Sequence, residues 1–132
     1  MNNSDLNSIG ELLSAYAGGQ RKFDNWDFEE TGSVQGLDLT GIEFRNCFLF
    51  LDFRDANLTN STFISCNIKT ADFRGANLKN GMIKNCSVES TRFKGANVEN
   101  FRFEENYCYG ATTKPGDFDE LFKESDEHST YL

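Results

Sequence analysis

The feature that most constrains this chain is a heptapeptide that recurs at intervals of twenty residues. It reads DFRDANL at residues 52–58, DFRGANL at 72–78 and RFKGANV at 92–98. Repeats of this kind are typical of architectures in which each unit stacks on its neighbours, because one unit alone cannot bury its apolar face. We therefore interpret the central part of the chain as a stack of repeated units.

A shorter period of five residues runs through the same region. The apolar positions are Phe53, Leu58, Phe63, Ile68, Phe73, Leu78, Ile83, Val88, Phe93, Val98 and Phe103. The residue two positions before each centre from Leu58 to Val98 is small, from Ala56 to Ala96. Neither the helical period of 3.6 nor the strand period of 2 predicts this spacing. A chain that turns a corner every five residues explains this spacing, and four corners close one coil in twenty residues.

The pattern A(D/N)LXX within these units resembles that of the pentapeptide-repeat proteins. The resemblance covers residues 34–110 strongly, and Phe23 and Phe28 look like part of a first coil. It implies an all-β solenoid, a right-handed quadrilateral β-helix whose stacked coils are joined by backbone hydrogen bonds. We expect this β-helix over residues 23–112, in four to five coils.

The five-residue register slips twice near the start of the repeats. The step from Leu49 to Phe53 is one residue short, and the step from Phe28 to Val34 is one residue long. Slips of this kind predict a local bulge or kink rather than a domain boundary.

The two ends of an open β-helix need protection, because they present unpaired backbone groups. We expect Ser4 to cap a helix that closes at Gly18, within an N-terminal helical cap at residues 1–22. We expect Asp117 to cap a second short helix, within an acidic cap and tail at residues 113–132. The apolar face of the second helix comprises Phe118, Leu121 and Phe122.

The sequence offers little for catalysis. His128 is the only histidine and lies in the polar C-terminal tail, so a Ser-His or Cys-His site is not expected. The phosphate-binding patterns GxGxxG and GxxxxGK[ST] are absent. We therefore predict a protein that is not an enzyme and takes no cofactor.

Three of the four cysteines, Cys47, Cys66 and Cys86, fall in one column at the spacing of the coils. This column could be a metal or redox ladder. We interpret it instead as compact apolar residues at the small inward position, because zinc sites favour CxxC pairs or histidines. The prediction is that the protein binds no metal.

The net charge of −8 is concentrated at the two ends. Residues 1–32 carry −4, residues 115–132 carry −5, and the region between them carries +1. No strong basic stripe is present to bind phosphates, so no direct nucleic-acid partner is expected. The chain has no apolar stretch of about 20 residues, and its start, MNNSDLNSIG, lacks a signal-peptide pattern. These features predict a cytoplasmic protein with reduced cysteines and no membrane partner.

The outward positions are described by four faces, numbered so that face one contains Phe53, face two Leu58, face three Phe63 and face four Ile68. Face one carries a basic column, face two carries columns of asparagines that we interpret as structural, and face four carries aromatic residues. The basic column comprises Arg54, Arg74 and Lys94. The asparagines are Asn57, Asn77 and Asn97 with Asn60, Asn80 and Asn100.

Outward aromatic residues are candidates for a binding interface. On face four, two phenylalanines flank Leu49 and two tyrosines flank Cys108, and acidic residues follow nearby. The candidate partner-binding residues are Phe48, Phe50, Glu104, Glu105, Tyr107, Tyr109, Asp117, Asp119 and Glu120. The alternative is that the segment with Trp26 covers the phenylalanines and the tail helix covers the tyrosines.

The resemblance implies three classes of function: immunity or self-protection beside a toxin, DNA mimicry directed at type II topoisomerases, and regulation or scaffolding. A mimic needs acidic charge along the barrel, whereas this barrel is close to neutral and only about 20 Å long. We predict a protein-binding module, a monomer or homodimer, that neutralises a toxin or another basic protein by direct binding. The acidic end favours a basic partner. The alternatives are a topoisomerase modulator similar to quinolone-resistance proteins and a regulatory scaffold.

Overall fold

The computed structural model describes residues 7–114 and 116–124, without the side chains of residues 29–31, 120, 121, 123 and 124. These residues form a right-handed β-helix of about four coils with short helices. In chain order the elements are α1 (Ile9–Ala17), β1 (Lys22–Asp24), β2 (Asp27–Ser33), β3 (Glu43–Arg45), β4 (Phe48–Asp52), β5 (Thr62–Ile64), β6 (Met82–Lys84), β7 (Arg102–Glu104), β8 (Tyr107–Cys108), β9 (Ala111–Thr112) and α2 (Asp117–Glu124). This architecture confirms the fold predicted from the repeats.

Face three is a five-stranded parallel sheet in the order β1-β3-β5-β6-β7. Its register places Phe44 beside Phe63 and Phe63 beside Ile83, so each coil lies directly over the one before. Parallel bridges join the other faces in the same way, for example Asn57 to Asn77 on face two. The backbone hydrogen bonds therefore link neighbouring coils along the whole stack. We use the word rung for the residues that one coil contributes to one face.

The core consists of the side chains at the five-residue centres. The centres from Phe53 to Phe93 are fully buried, which confirms the prediction for these positions. Val98 and Phe103, which belong to the last coil, are only partly buried because no further coil covers them.

The corners depend on residues that tolerate left-handed backbone conformations. Asn60 and Asn80 have φ values of 62° and 61°, a region in which asparagine is favoured over most other residues. The side chain of Asn57 accepts a hydrogen bond from the N–H of Thr59, and Asn77 does the same for Lys79. The asparagine columns on face two therefore stabilise the turns, in agreement with the structural interpretation.

Both register slips lie between face four and face one. Strand β2 pairs in parallel with β4, and the register shifts between Phe28 and Gly32. Strand β4 continues without a turn where the repeat predicts a corner, and both Leu49 and Leu51 are buried. The predicted bulge is therefore confirmed, and β2 accommodates the extra residues opposite the straight strand.

Helix α1 begins at Ile9 with Ser8 as its N-cap, so the prediction that Ser4 caps this helix is wrong. The Ser8 hydroxyl accepts the N–H of Glu11, and the Glu11 carboxylate accepts the N–H of Ser8. The helix cannot begin earlier because Asn7 is paired with the first coil. Its N–H donates to the Asp27 carbonyl at 2.8 Å, and its side chain accepts the N–H of Asp27 at 2.7 Å. Ser4 itself lies outside the described residues.

The opposite end of the stack is closed by a hairpin and by α2. Strands β8 and β9 pair antiparallel, and Tyr109 and Gly110 form the turn between them with φ values of 51° and 80°. Two residues with positive φ are typical of the tight turns that match strand twist. The ring of Phe118 in α2 lies 5.0 Å from the rings of Phe93 and Phe103, so the helix packs over the last coil. No helix among the described residues has the length and apolar character needed to cross a membrane.

Candidate functional site

Face four places Phe48 and Tyr107 in one outward column. Parallel bridges connect Phe48 to Asn67, Asn67 to Ser87 and Ser87 to Tyr107. The two aromatic residues are therefore three rungs apart, about 14 Å along the stack. The exposed fractions are 41% for Phe48 and 40% for Tyr107, and the residues between them have small polar side chains.

The neighbouring column contains Phe50 and Tyr109. The half-buried Phe50 ring packs edge-on against Phe48 with centroids 6.3 Å apart, and it lines a shallow groove of about 330 Å³. Tyr109 has an exposed fraction of 64%, but it lies in the turn of the terminal hairpin and not on the flat part of face four. Its backbone N–H donates to the Glu89 carboxylate at 2.9 Å.

The segments suggested as covers pack elsewhere in the described structure. The ring of Trp26 lies against Phe23 at 5.0 Å and against Phe28 at 6.1 Å. Helix α2 places Phe118 on the end of the stack. Within the described residues, three of the four exposed large apolar side chains are Phe48, Tyr107 and Tyr109.

The acidic candidates are distributed over more than one surface. Glu104 lies on β7, in face three, where its carboxylate oxygens accept hydrogen bonds from Arg102 at 3.0 and 3.3 Å. Glu105 follows at the corner toward face four, with Oε1 3.8 Å from the Lys84 ammonium. Glu104 is therefore separated from the aromatic column, and both carboxylates have a basic neighbour.

The remaining acidic candidates lie in or beside α2. The Asp117 carboxylate accepts the N–H of Lys114 at 2.7 Å, and Asp119 is exposed. The side chain of Glu120 lies outside the described residues, as does His128. Burial raises the pKa of the Cys108 thiol, and the negative charges of Glu89 and Asp117 raise it further. A groove of about 390 Å³ separates Glu104 and Glu105 from the segment that leads into α2.

The arginines of the basic column on face one are paired with aspartates, so this column is not an open positive surface. Arg54 Nη2 lies 2.8 Å from Asp52 Oδ2, and Arg74 Nη2 lies 2.6 Å from Asp72 Oδ2. Hydrogen bonds from the Arg54 guanidinium lower the pKa of Asp52. Alternating acids and bases therefore reduce the local field on this face.

The cysteine column lies inside the coils as small, buried, free thiols. The Cys66 N–H points at the Cys86 sulfur, at 3.4 Å. Hydrogen bonding with the Cys66 thiol and burial together raise the pKa of Cys47. In the described parts of the chain, no group of three ligating side chains is arranged to hold a metal ion.

Asn106 is a buried residue that sequence reasoning missed. It occupies the small inward position of the last coil, where its Oδ1 accepts the Cys86 N–H at 2.9 Å and its Nδ2 donates to the Ile83 carbonyl at 3.0 Å. The sequence did contain a signal for this role, because Asn106 follows Cys66 and Cys86 at the same twenty-residue spacing and places an amide at an inward position. Asn106 ends the thiol column and has a structural role.

Comparisons with known proteins identify the family. A model described as a pentapeptide repeat region matches residues 37–112. Full-length QnrB1, a plasmid-mediated fluoroquinolone resistance protein, is 25% identical with a TM-score of 0.61, and the match covers 66% of this chain and 50% of QnrB1. Rfr23 from the cyanobacterium Cyanothece 51142 is 20% identical with a TM-score of 0.54, over 66% of this chain and 56% of Rfr23. This chain thus spans about half the length of these proteins. No curated protein sequence shows significant similarity. The chain belongs to the pentapeptide-repeat family.

Proposed function

We propose that this chain is a non-enzymatic protein-binding module and that face four is its contact surface. The observation that carries the proposal is the column in which Phe48 and Tyr107 stand exposed on either side of Asn67 and Ser87. Aromatic side chains dominate the energetics of many interfaces, because they bury a large area at low cost in conformational entropy. The flat backbone beneath them holds the two rings at a fixed separation.

The specific role that we propose is neutralisation of a toxin by direct binding, as in immunity proteins. The net charge of −8 favours a basic partner through long-range attraction. The contact itself depends less on local acidic residues, since Glu104 and Glu105 have Arg102 and Lys84 as neighbours. We therefore assign recognition mainly to the aromatic column and the rate of encounter to the net charge.

A second candidate function is modulation of a type II topoisomerase, which the similarity to a fluoroquinolone resistance protein favours. A DNA mimic is expected to carry continuous acidic charge. Here Asp52 and Asp72 alternate with Arg54 and Arg74 on face one, which weakens this candidate. A regulatory scaffold would use the same aromatic surface.

A protection assay and an enzyme assay distinguish these candidates. In the first, the neighbouring genes are searched for one that encodes a toxin domain, its product is co-expressed with the protein, and cell survival is measured. In the second, purified protein is added to DNA supercoiling by a type II topoisomerase, with and without a fluoroquinolone. Survival in the first assay supports immunity, and a change in supercoiling in the second supports the topoisomerase role.

The double variant Phe48→Ala/Tyr107→Ala tests the surface in whichever assay responds. Lys69→Ala, on the same face between the aromatic rungs, is the matched control. We expect the double variant to lose the effect and the control to keep it. A double variant that acts like the wild type would exclude face four as the contact surface.

A further inference from the structure

Face three carries an ordered pattern of charge that lies outside the proposed contact surface on face four. Three of its five rungs bear one acid and one base, on either side of the buried centre. These rungs are Lys22 and Asp24 in β1, Glu43 and Arg45 in β3, and Arg102 and Glu104 in β7. Arg45 Nε lies 3.1 Å from Glu43 Oε2, and Arg102 Nε lies 3.0 Å from Glu104 Oε2. In β1 and β7 the basic residue comes before the centre and the acidic residue after it, whereas in β3 the acidic residue comes first.

The two middle rungs are less charged. Strands β5 and β6 present Thr62, Ile64 and Met82 outward, all half-buried, and Lys84 is their one charged residue. A less charged centre bordered by charged residues matches the depletion of charge at the core of a protein interface.

Successive rungs of face three are aligned without a register shift, from Phe23 beside Phe44 to Ile83 beside Phe103. Two copies of such a face can match rung for rung.

The signs of the charges select one way to place two copies. A rotation of 180° about an axis parallel to the stack sets the residue before each centre opposite the residue after the same centre in the other copy. Lys22 then faces Asp24 of the second copy, and Glu43 and Arg102 likewise face residues of opposite charge. A rotation about an axis along the strands would instead oppose Lys22 to Arg102, both basic.

We propose that face three is a self-association surface on which two copies of this chain pair with their stacks parallel. Five rungs span about 19 Å, so the contact is smaller than a standard interface and the dimer should be weak. Exposed charge pairs supply much of the selectivity, so association should fall as salt screens them. The two copies of face four then point in opposite directions, so partner binding through face four does not depend on this dimer.

Sedimentation velocity of the wild type and three variants tests the pairing. Glu43→Arg makes the β3 rung entirely basic, and Arg45→Glu makes it entirely acidic. We expect each variant alone to associate about tenfold or more weakly than the wild type. An equimolar mixture of the two variants should restore association, because a basic rung then faces an acidic one. The double variant Glu43→Arg/Arg45→Glu is the matched control and should associate like the wild type, since each copy again carries both signs.

Several outcomes would overturn the proposal. They are a wild-type protein that stays monomeric at low salt up to about 1 mM, single variants that associate as the wild type does, and a mixture that does not recover. Thermal unfolding of each variant checks that the coils remain folded. A purely structural role for the Glu43–Arg45 pair cannot explain recovery on mixing, because mixing changes only which copies meet.

Discussion

Phe53 and Phe73 stack face to face across one coil step, with ring centroids 4.9 Å apart and ring planes 1° from parallel. The ring separation equals the spacing of backbone strands, about 4.8 Å. Each ring therefore fills its own layer and also supports the ring of the next coil. Phe93 continues the same stack at 5.2 Å from Phe73.

Removal of the middle ring should cost much of the protein's stability. Phe73 is fully buried between Phe53 and Phe93, and it also packs edge-on against Phe63. We expect Phe73→Ala to lower the free energy of unfolding by about 3 to 5 kcal/mol, because the neighbouring coils cannot collapse into the cavity. Urea unfolding monitored by circular dichroism measures this change. Phe48→Ala is the control, with an expected change near zero, and a neutral Phe73→Ala would contradict the coil assignment.

The cysteine column should bind no metal. A zinc ligand must be a thiolate, and the buried Cys66 thiol is instead hydrogen bonded to the Ile64 carbonyl at 3.3 Å. We expect Cys66→Ala and Cys86→Ala to carry no less metal than the wild type and to retain function. Elemental analysis of the purified proteins tests this, and stoichiometric zinc that disappears in the variants would contradict it.

Stability should decline at alkaline pH because of Cys47. Hydrogen bonding with Cys66 and burial raise its pKa in the folded chain, whereas an unfolded thiol titrates near pH 8.5. Above that pH the unfolded state loses a proton that the folded state retains, so the free energy of unfolding falls as pH rises. Below it the contribution is fully present. Urea unfolding at several pH values should show a smaller alkaline decline for Cys47→Ser, and an equal decline would exclude this thiol as the cause.

Asn106 should stabilise the last coil through its buried amide. Asn106→Ala leaves the Cys86 N–H and the Ile83 carbonyl without their partner, and one such buried group typically costs about 1 to 3 kcal/mol. We expect faster hydrogen exchange at the Cys86 amide in this variant. Asn97→Ala is the control, because its side chain serves only the exposed N–H of Glu99. Equal exchange rates in the two variants would show that the Asn106 amide does not hold the coil.

The sequence was sufficient to predict the coils because each repeat contains its own structural information. A centre such as Phe73 is buried by the same neighbours in every coil, and a corner residue such as Asn80 has the same backbone conformation. The bulge near Phe28 was also predictable, since it changes the count of residues between centres.

The ends could not be predicted in the same way, because contacts distant in sequence determine them. Ser4 and Ser8 are both able to cap a helix, and the pairing of Asn7 with Asp27 settles the choice in favour of Ser8. The repeat placed Tyr109 on face four, but Gly110 allows the chain to turn back into a hairpin. The positions of most candidate site residues could not be predicted for the same reason, since these residues lie near the C-terminal end.

Partner binding is expected to depend on face four and on the acidic end in kinetically different ways. Tyr107→Ala should mainly speed dissociation, because an exposed aromatic ring becomes buried only in the complex. Charge reversal at Glu104 and Glu105 should slow association and weaken its salt dependence, because the long-range field steers encounter. Arg54→Ala and Arg74→Ala should change little, since both guanidinium groups are paired with aspartates on another face.

Surface-plasmon kinetics against the partner found in the protection or supercoiling assay measures both rates, after each variant shows an unchanged melting curve. Loss of binding in the arginine variants, with normal binding in the glutamate and tyrosine variants, would place the contact on face one instead.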